Sequence, residues 1–406
     1  MTEQPKAVPL RISDGQSTFL HIVKILAIAA VIVGHASKPD ILFDVDISLL
    51  GRATIPTFLM ISGYFAAMTF YKGQIKGVSR GKKFLKSVMT RYFNMYFMFV
   101  PATLLVLAMD IWMIRVDAAF VHTDKFDPDL SAWRIVKEFW QLFTFSGEYW
   151  APSTVGQGVF SNAAVWTMDY LMAYTVATAA LYLLSGSTRV FAICVAIVVA
   201  GPTILLLSPL WWAGVVAFEI HKRSSLREMA NGGGETLGGL HLSEVAVRRL
   251  AIGLFVSVCV AWLVVEWSDI GPALYKWSKT LASYDVRQYM GMSKRFLWQW
   301  TYIPIIFTFL VTSKYIFTGP VPPTFRSHVK TVSKYCFPVF AFHFTTMYFF
   351  QALIPNYQAT YKSADPYIMG ISSLAVSIVC GVACFKFVKP VTDGIYEKIT
   401  SEGETK

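Results

Sequence analysis

The chain returns again and again to apolar runs long enough to cross a bilayer. A spanning helix needs roughly 17–25 mostly apolar residues. About ten candidate runs are legible, near 19–36, 47–70, 88–110, 161–184, 188–206, 208–221, 248–267, 296–313, 335–354 and 366–388. This repetition leaves no room for a second soluble domain and predicts an all-α fold, a polytopic transmembrane helix bundle of about ten spanning helices. The fifth and sixth runs are short, and Leu207-Ser208-Pro209 between them reads as a tight turn. Composition agrees: 55% of the residues are hydrophobic and only 15% charged, against about 25% charged in soluble domains. Phe, Tyr and Trp make up 15%, as suits a chain that meets the membrane interface many times.

The net charge of +11 does not point to nucleic acid, because the basic residues cluster in short segments between apolar runs. Residues 71–94 hold seven Lys or Arg and no acid, residues 313–334 hold four and no acid, and residues 221–249 hold five. If the runs alternate, these segments share one side, which is then cytoplasmic, and both termini join them. Residues 268–295 also carry five Lys or Arg but fall on the other side, where long loops obey the rule weakly. The parts are then a cytoplasmic N-terminal tail (1–18), a membrane domain (19–388) and a cytoplasmic C-terminal tail (389–406). The polar N-terminal stretch gives no sign of a cleavable leader. The long acidic and aromatic segment 111–160 contains helical apolar spacing near 132–145, suited to the interface. Asn231-Gly232-Gly233-Gly234 reads as a flexible linker. The five cysteines have neither CxxC nor CxxH spacing, so no disulfide framework and no metal site is expected.

Ionisable groups inside a span are costly and are candidates for function. The first run carries His21, Lys24 and His35 among aliphatic residues. Lys24 and His35 are eleven residues apart, about 20° past three full turns and roughly 16 Å along the axis. His21 lies about 40° from His35 on the same side. Such a stripe lines an aqueous or substrate-filled cavity, or its ends snorkel to the two membrane surfaces; the spacing alone allows both.

A family resemblance rests on several stretches in order. Ala27-Ile28-Ala29-Ala30 and Val33-Gly34-His35 resemble the opening helix of the acyltransferase-3 family, membrane enzymes that O-acylate sugars and envelope glycans. Phe58-Leu59-Met60-Ile61-Ser62-Gly63-Tyr64-Phe65, Arg91-Tyr92-Phe93-Asn94-Met95-Tyr96, Val165-Trp166-Thr167-Met168-Asp169-Tyr170-Leu171 and Pro338-Val339-Phe340-Ala341-Phe342-His343-Phe344 follow, so the likeness spans roughly residues 17–390. The chain departs from the pattern where the family's Arg is Lys24, its preceding acid is His21, its second Arg is Asn94 and its Pro is Phe97. A Lys lacks the planar fork of Arg, so the departures put the donor contacts, or the activity itself, in question.

The resemblance implies an O-acyltransferase of the inner (plasma) membrane. It implies transfer of an acyl group, in the first instance acetyl, from cytoplasmic acyl-CoA to a hydroxyl of an extracytoplasmic glycan or lipid-linked saccharide. His35 is then the general base or a transient acyl acceptor, and Lys24 its electrostatic partner. Arg91, with Asn94 beside it, anchors the phosphates of acyl-CoA, and His343 is an auxiliary polar residue of the site. Asp169 and Trp166 are candidates for substrate binding; Asp169 equally suits an ion pair with Lys24 or Arg91. Ser62-Gly63 suits close helix packing. The expected partners are the lipid bilayer, the glycan acceptor and polysaccharide biosynthesis proteins. Two other readings fit the same residues: a transporter or flippase for a glycan or polar solute, and a non-catalytic component of polysaccharide assembly. The transporter reading lacks an inverted repeat or paired broken helices in the sequence.

Overall fold

The computed structural model describes residues 12–36, 41–42, 45–46, 48–73, 80–116, 129–150, 160, 162–230, 235–237, 240–268, 270–280, 290–353 and 366–401. Twelve α-helices are found among them. They are α1 (Asp14–Ala36), α2 (Ser48–Gly73), α3 (Arg80–Arg115), α4 (Ala132–Thr144), α5 (Trp166–Leu183), α6 (Gly186–Ala230), α7 (Glu244–Trp267), α8 (Ile270–Thr280), α9 (Phe296–Trp300), α10 (Ile303–Ile316), α11 (Pro323–Leu353) and α12 (Pro366–Ser401). Two-residue strands at Ile41–Leu42 and Val45–Asp46, and three-residue strands at Glu235–Leu237 and Leu240–Leu242, form two small antiparallel hairpins. The first and last helices reach into both expected tails, and the Asn231–Gly234 linker lies outside the described residues.

Six helices are long and apolar enough to cross a membrane, and a seventh span results if the pair bent by 59° around residues 301–302 counts as one. Two further helices of spanning length, α5 and α11, carry more polar groups. The reason is visible for α5: all but Val176 and Leu181 of its 18 residues are buried. A helix enclosed by protein does not need a lipid-compatible surface, so hydropathy alone underrates it. By contrast α7 packs against α10 and is exposed over nearly its whole length, as a lipid-facing helix should be.

The core has two joined halves. One is built from α1, α2, α3, α11 and α12, the other from α5, α6 and α10, with α2 packed against members of both. The α2–α6 crossing is closest where both helices lack side chains. A Cβ on Gly214 would collide with the Met60 carbonyl, and one on Gly63 with the Trp211 carbonyl, so Gly63 does serve close packing. Near this crossing a buried polar knot ties four helices. Tyr64 donates from its hydroxyl to His221 Nδ1 (2.8 Å), while the Gln16 amide reaches both His221 (3.2 Å) and Ser313 (3.2 Å). The Val311 carbonyl, 3.0 Å from His221 Nε2, can only accept, so the proton sits on Nε2 and Nδ1 accepts. Tyr64→Phe removes one donor from this buried group. It is expected to cost about 1–3 kcal/mol, read as a lowered melting temperature of the detergent-solubilised protein.

α6 is not one long helix. Its backbone breaks at Gly201 (φ 74°, ψ 178°), and α5 shows which way each half runs. The first half starts directly after α5, and its far end, Val199 and Ala200, lies back beside Ala173. The second half follows α5 in the same direction: Tyr174 donates to the Ile204 carbonyl, Trp211 to Thr178 and Tyr182 to Glu219. α6 is therefore a helical hairpin folded at Gly201. This corrects the expected turn at Leu207-Ser208-Pro209, which lies inside the second helix. The first half is about 22 Å long, short of a ~30 Å hydrocarbon core.

A non-helical turn at that depth persists only where protein satisfies its backbone. Pro202 has no N–H to offer the Val198 carbonyl, and the indole of Trp150 takes its place at 2.8 Å. Ser293 donates to the Thr203 carbonyl (2.5 Å) and Trp300 to that of Leu206 (2.8 Å). A Cβ on Gly201 would stand 2.9 Å from the Trp150 ring, and its φ belongs to the left-handed region, so glycine is required twice over.

Trp150 reaches this turn because α4 brings it there. Helix α4 is amphipathic as expected: Trp133, Val136, Trp140 and Phe143 are exposed, while Glu138 and Leu142 are buried. Glu138 pairs with Arg134 at 2.6 Å and also receives the Phe160 amide. At its end Tyr92 of α3 donates to the Phe143 carbonyl (2.5 Å), and Phe145 turns the chain in a left-handed conformation.

Candidate active site

The α1–α11 pair frames the site. Asp14 pairs with Arg326, His21 hydrogen-bonds Ser333, and Lys24 lies near Cys336, each pair being separated by 312 positions in sequence. A constant offset means that the two helices run parallel and in step. It sets His343 level with Val31, so His35 lies about 6 Å further along the same axis.

Two polar tiers follow from this register. In the lower tier His21 Nδ1 meets Ser333 Oγ at 2.9 Å, and its ring stacks on Phe65 at 5.2 Å. Lys24 Nζ points to the Ser333 carbonyl at 3.5 Å, with Arg91 as a charged neighbour. Lys330 also acts on His21. His21 and Lys24 both turn onto α11 at Ser333, Lys24 reaching back about one turn towards the start of its helix. Several cations without a carboxylate among these contacts attract an anionic ligand. Asn94, one turn beyond Arg91, is exposed, as Arg91 itself is.

The upper tier holds His343, fully buried between Phe340 (4.9 Å) and Phe344 (4.2 Å). Its Nδ1 lies 2.5 Å from the Phe340 carbonyl. A carbonyl can only accept, so Nδ1 carries the proton and Nε2 is the basic atom of the neutral ring. Hydroxyls surround this level. Thr346 bonds to Ser377 (2.7 Å), and Thr345 Oγ1 is buried with no hydrogen-bond partner among the described residues. Sequence reading missed these hydroxyls, since Ser and Thr in a span usually bond back to their own helix. The helices approach closely here because Gly381 faces the Val339 backbone, where a Cβ would stand 2.6 Å from its nitrogen. His35 lies on the last turn of α1, and its side chain lies outside the described residues.

A match over residues 17–386 to the family model described as an acyltransferase domain (acyltransferase-3) now joins this geometry. The chain belongs to the acyltransferase-3 family. No curated protein and no solved structure matches it. In this acyltransferase-3 chain the motif residues are carried on α1, α3, α5 and α11. Lys24 and Arg91 are neighbours, and His343 is carried on the helix that Lys24 touches. Asp169 and Trp166 lie on α5, whose preceding turn, Ala163–Val165, packs against α11. The expected pairing of Asp169 with Lys24 or Arg91 is corrected: its Oδ2 accepts the Glu148 amide at 2.9 Å, and the Gly147 amide also bonds it. Its Oδ1 is buried without a hydrogen-bond partner among the described residues. Gly147 suits the loop's close approach, since a Cβ there would stand 3.1 Å from Oδ2. Glu148 is itself buried and receives the Tyr170 hydroxyl (3.2 Å), which also meets Ser293 at 2.9 Å. Trp166 is buried edge-on against Tyr170 at 5.4 Å. Among the described residues no three His, Cys, Asp or Glu side chains gather to hold a metal ion.

Proposed function

We propose that this membrane acyltransferase takes an acyl group, in the first instance acetyl, from cytoplasmic acyl-CoA and passes it to a hydroxyl of an extracytoplasmic glycan or lipid-linked saccharide. The observation that carries the reading is the stacking of two tiers on parallel helices, cationic below and histidine-bearing above. Lys24 and Arg91 suit the phosphates and thioester end of the donor. His35 is the general base that takes the proton of the attacking hydroxyl. His343 and the buried Thr345 hydroxyl are the polar groups at the level where a polyol would bind. Asp169 Oδ1, buried and without a hydrogen-bond donor among the described residues, suits a further sugar hydroxyl. The reading takes eight crossings, counting α9–α10 as one, with the α6 hairpin entering and leaving on the same side; an even number returns both termini to the cytoplasmic side of the plasma membrane, where the basic starts of α3 and α11 also lie.

The test is labelled acetyl-CoA supplied outside sealed inside-out vesicles. Label recovered on saccharide within the lumen supports transfer across the membrane. No label with any of several acyl-CoA donors, in vesicles shown to contain the protein, turns the reading towards transport or an assembly role. Lys24→Met keeps the stem but removes the charge. It is expected to raise KM for acyl-CoA by about 10–100-fold, as loss of a charge-assisted hydrogen bond does, with a smaller change in kcat.

A further inference from the structure

An apolar groove of about 340 Å³ runs along the outside of the bundle between α3, α5 and the first half of α6. Phe84 of α3 and Phe191, Ala192, Ala196 and Val199 of α6 line it, with Tyr149 closing the end beside Gly201. From Phe191 to Ala200 the groove follows α6 for about 14 Å, close to the depth of one leaflet of a ~30 Å core. Phe191 is 70% exposed, so the groove opens to the surroundings rather than to the protein interior.

Its other end is basic. Arg80 lies one turn before Phe84 on α3. Arg189 lies three residues before Ala192 and seven before Ala196, hence on the face of α6 that lines the groove. The two helices run in the same direction here. Both are antiparallel to α5: Asn162, just ahead of α5, bonds Thr103 far along α3, while Phe84 shares the groove with Val176 deep in α5. The two arginines therefore flank one mouth. Arg189 Nε holds the Leu184 carbonyl at 2.9 Å, which anchors its guanidinium there.

We infer that this groove binds one hydrocarbon chain of an anionic phospholipid, whose phosphate sits between Arg80 and Arg189. The apolar walls take the chain, their length matches a single leaflet, and the paired positive charge selects an anionic head group over a zwitterionic one. This site is separate from the two tiers on α1 and α11, and it holds whichever acceptor the enzyme uses.

The experiment loads the full chain in detergent with phosphatidylglycerol or with phosphatidylcholine of the same chains, then counts retained lipid by native mass spectrometry. Wild type is expected to keep one phosphatidylglycerol and to prefer it about tenfold, about 1.4 kcal/mol. Ala196→Trp fills the groove and is expected to lose the bound lipid of either kind. Val190→Trp, outside the groove at an exposed position, is expected to bind as wild type does. Arg80→Gln with Arg189→Gln is expected to retain both lipids equally. Lipid retained by Ala196→Trp as well as by Val190→Trp, or a preference that survives loss of both arginines, overturns the inference. The arginine pair decides the matter even if Ala196→Trp fails to fold.

Discussion

His35→Ala is expected to lower acyl transfer by about 10²–10⁴-fold, the usual contribution of a positioned general base, while the protein accumulates in the membrane as wild type does. His35 is on the last turn of α1, beyond the tier in which His21 and Lys24 bond α11. The measurement is initial rate with labelled acetyl-CoA in vesicles matched for protein content. A rate within threefold of wild type would remove His35 from the chemistry and pass the role of base to His343. The two histidines are distinguishable by a second readout. His343 is packed between two Phe rings and bonded to backbone, so His343→Ala is expected to lower the melting temperature as well as the rate.

Gly214→Leu carries the largest expected effect on stability. Gly214 meets the Met60 carbonyl backbone to backbone, and Gly63 meets the Trp211 carbonyl on the same crossing. A side chain there cannot be accommodated by a rotamer change, because what it strikes is main chain. The helices must separate, and the Tyr64–His221 knot close by separates with them. The cost is expected to exceed about 4 kcal/mol, the range in which a single change disrupts a fold. Fluorescence-detected size-exclusion of a tagged chain should show aggregate in place of the wild-type peak. Gly253→Leu makes a matched control, because a Cβ there meets nothing within 4 Å. A monodisperse Gly214→Leu protein would show that α2 and α6 are less tightly joined than their backbones indicate.

Hydrophobic run length revealed most of the elements, because the bilayer imposes one length on every crossing. It blurred two things. Gly201-Pro202 is the stronger turn signal, yet apolar residues continue on both sides of it. The chain reverses there inside the protein, with no polar loop to mark the reversal. The polar helices α5 and α11 owe their composition to neighbours rather than to lipid, and neighbours cannot be read from one segment.

The candidate site divided in the same way. Helical spacing correctly gave His21 and Lys24 a common side, since that depends on one helix alone. The parallel register of α1 and α11, and the meeting of Asp169 with the Gly147-Glu148 loop, depend on segments distant in sequence. The family motif held Asp169 but not Glu148, 21 residues away, so the second carboxyl of that buried pair had no signal in local pattern.

The hairpin at Gly201 also carries a consequence for biogenesis. The chain emerges from the ribosome N-terminal end first. Trp150 is already made when Gly201 appears, and it can cap the Val198 carbonyl at once. The donors to Thr203 and Leu206 are Ser293 and Trp300, which follow 90 and 94 residues later. During that interval the two carbonyls have their own helical donors, Leu207 and Leu210 four residues on, but the second half of the hairpin lacks the side chains that pin it near the turn. The turn can therefore form early, capped by Trp150, while the docking of the second half onto α9 is a late event, set by the synthesis of residues 290–300.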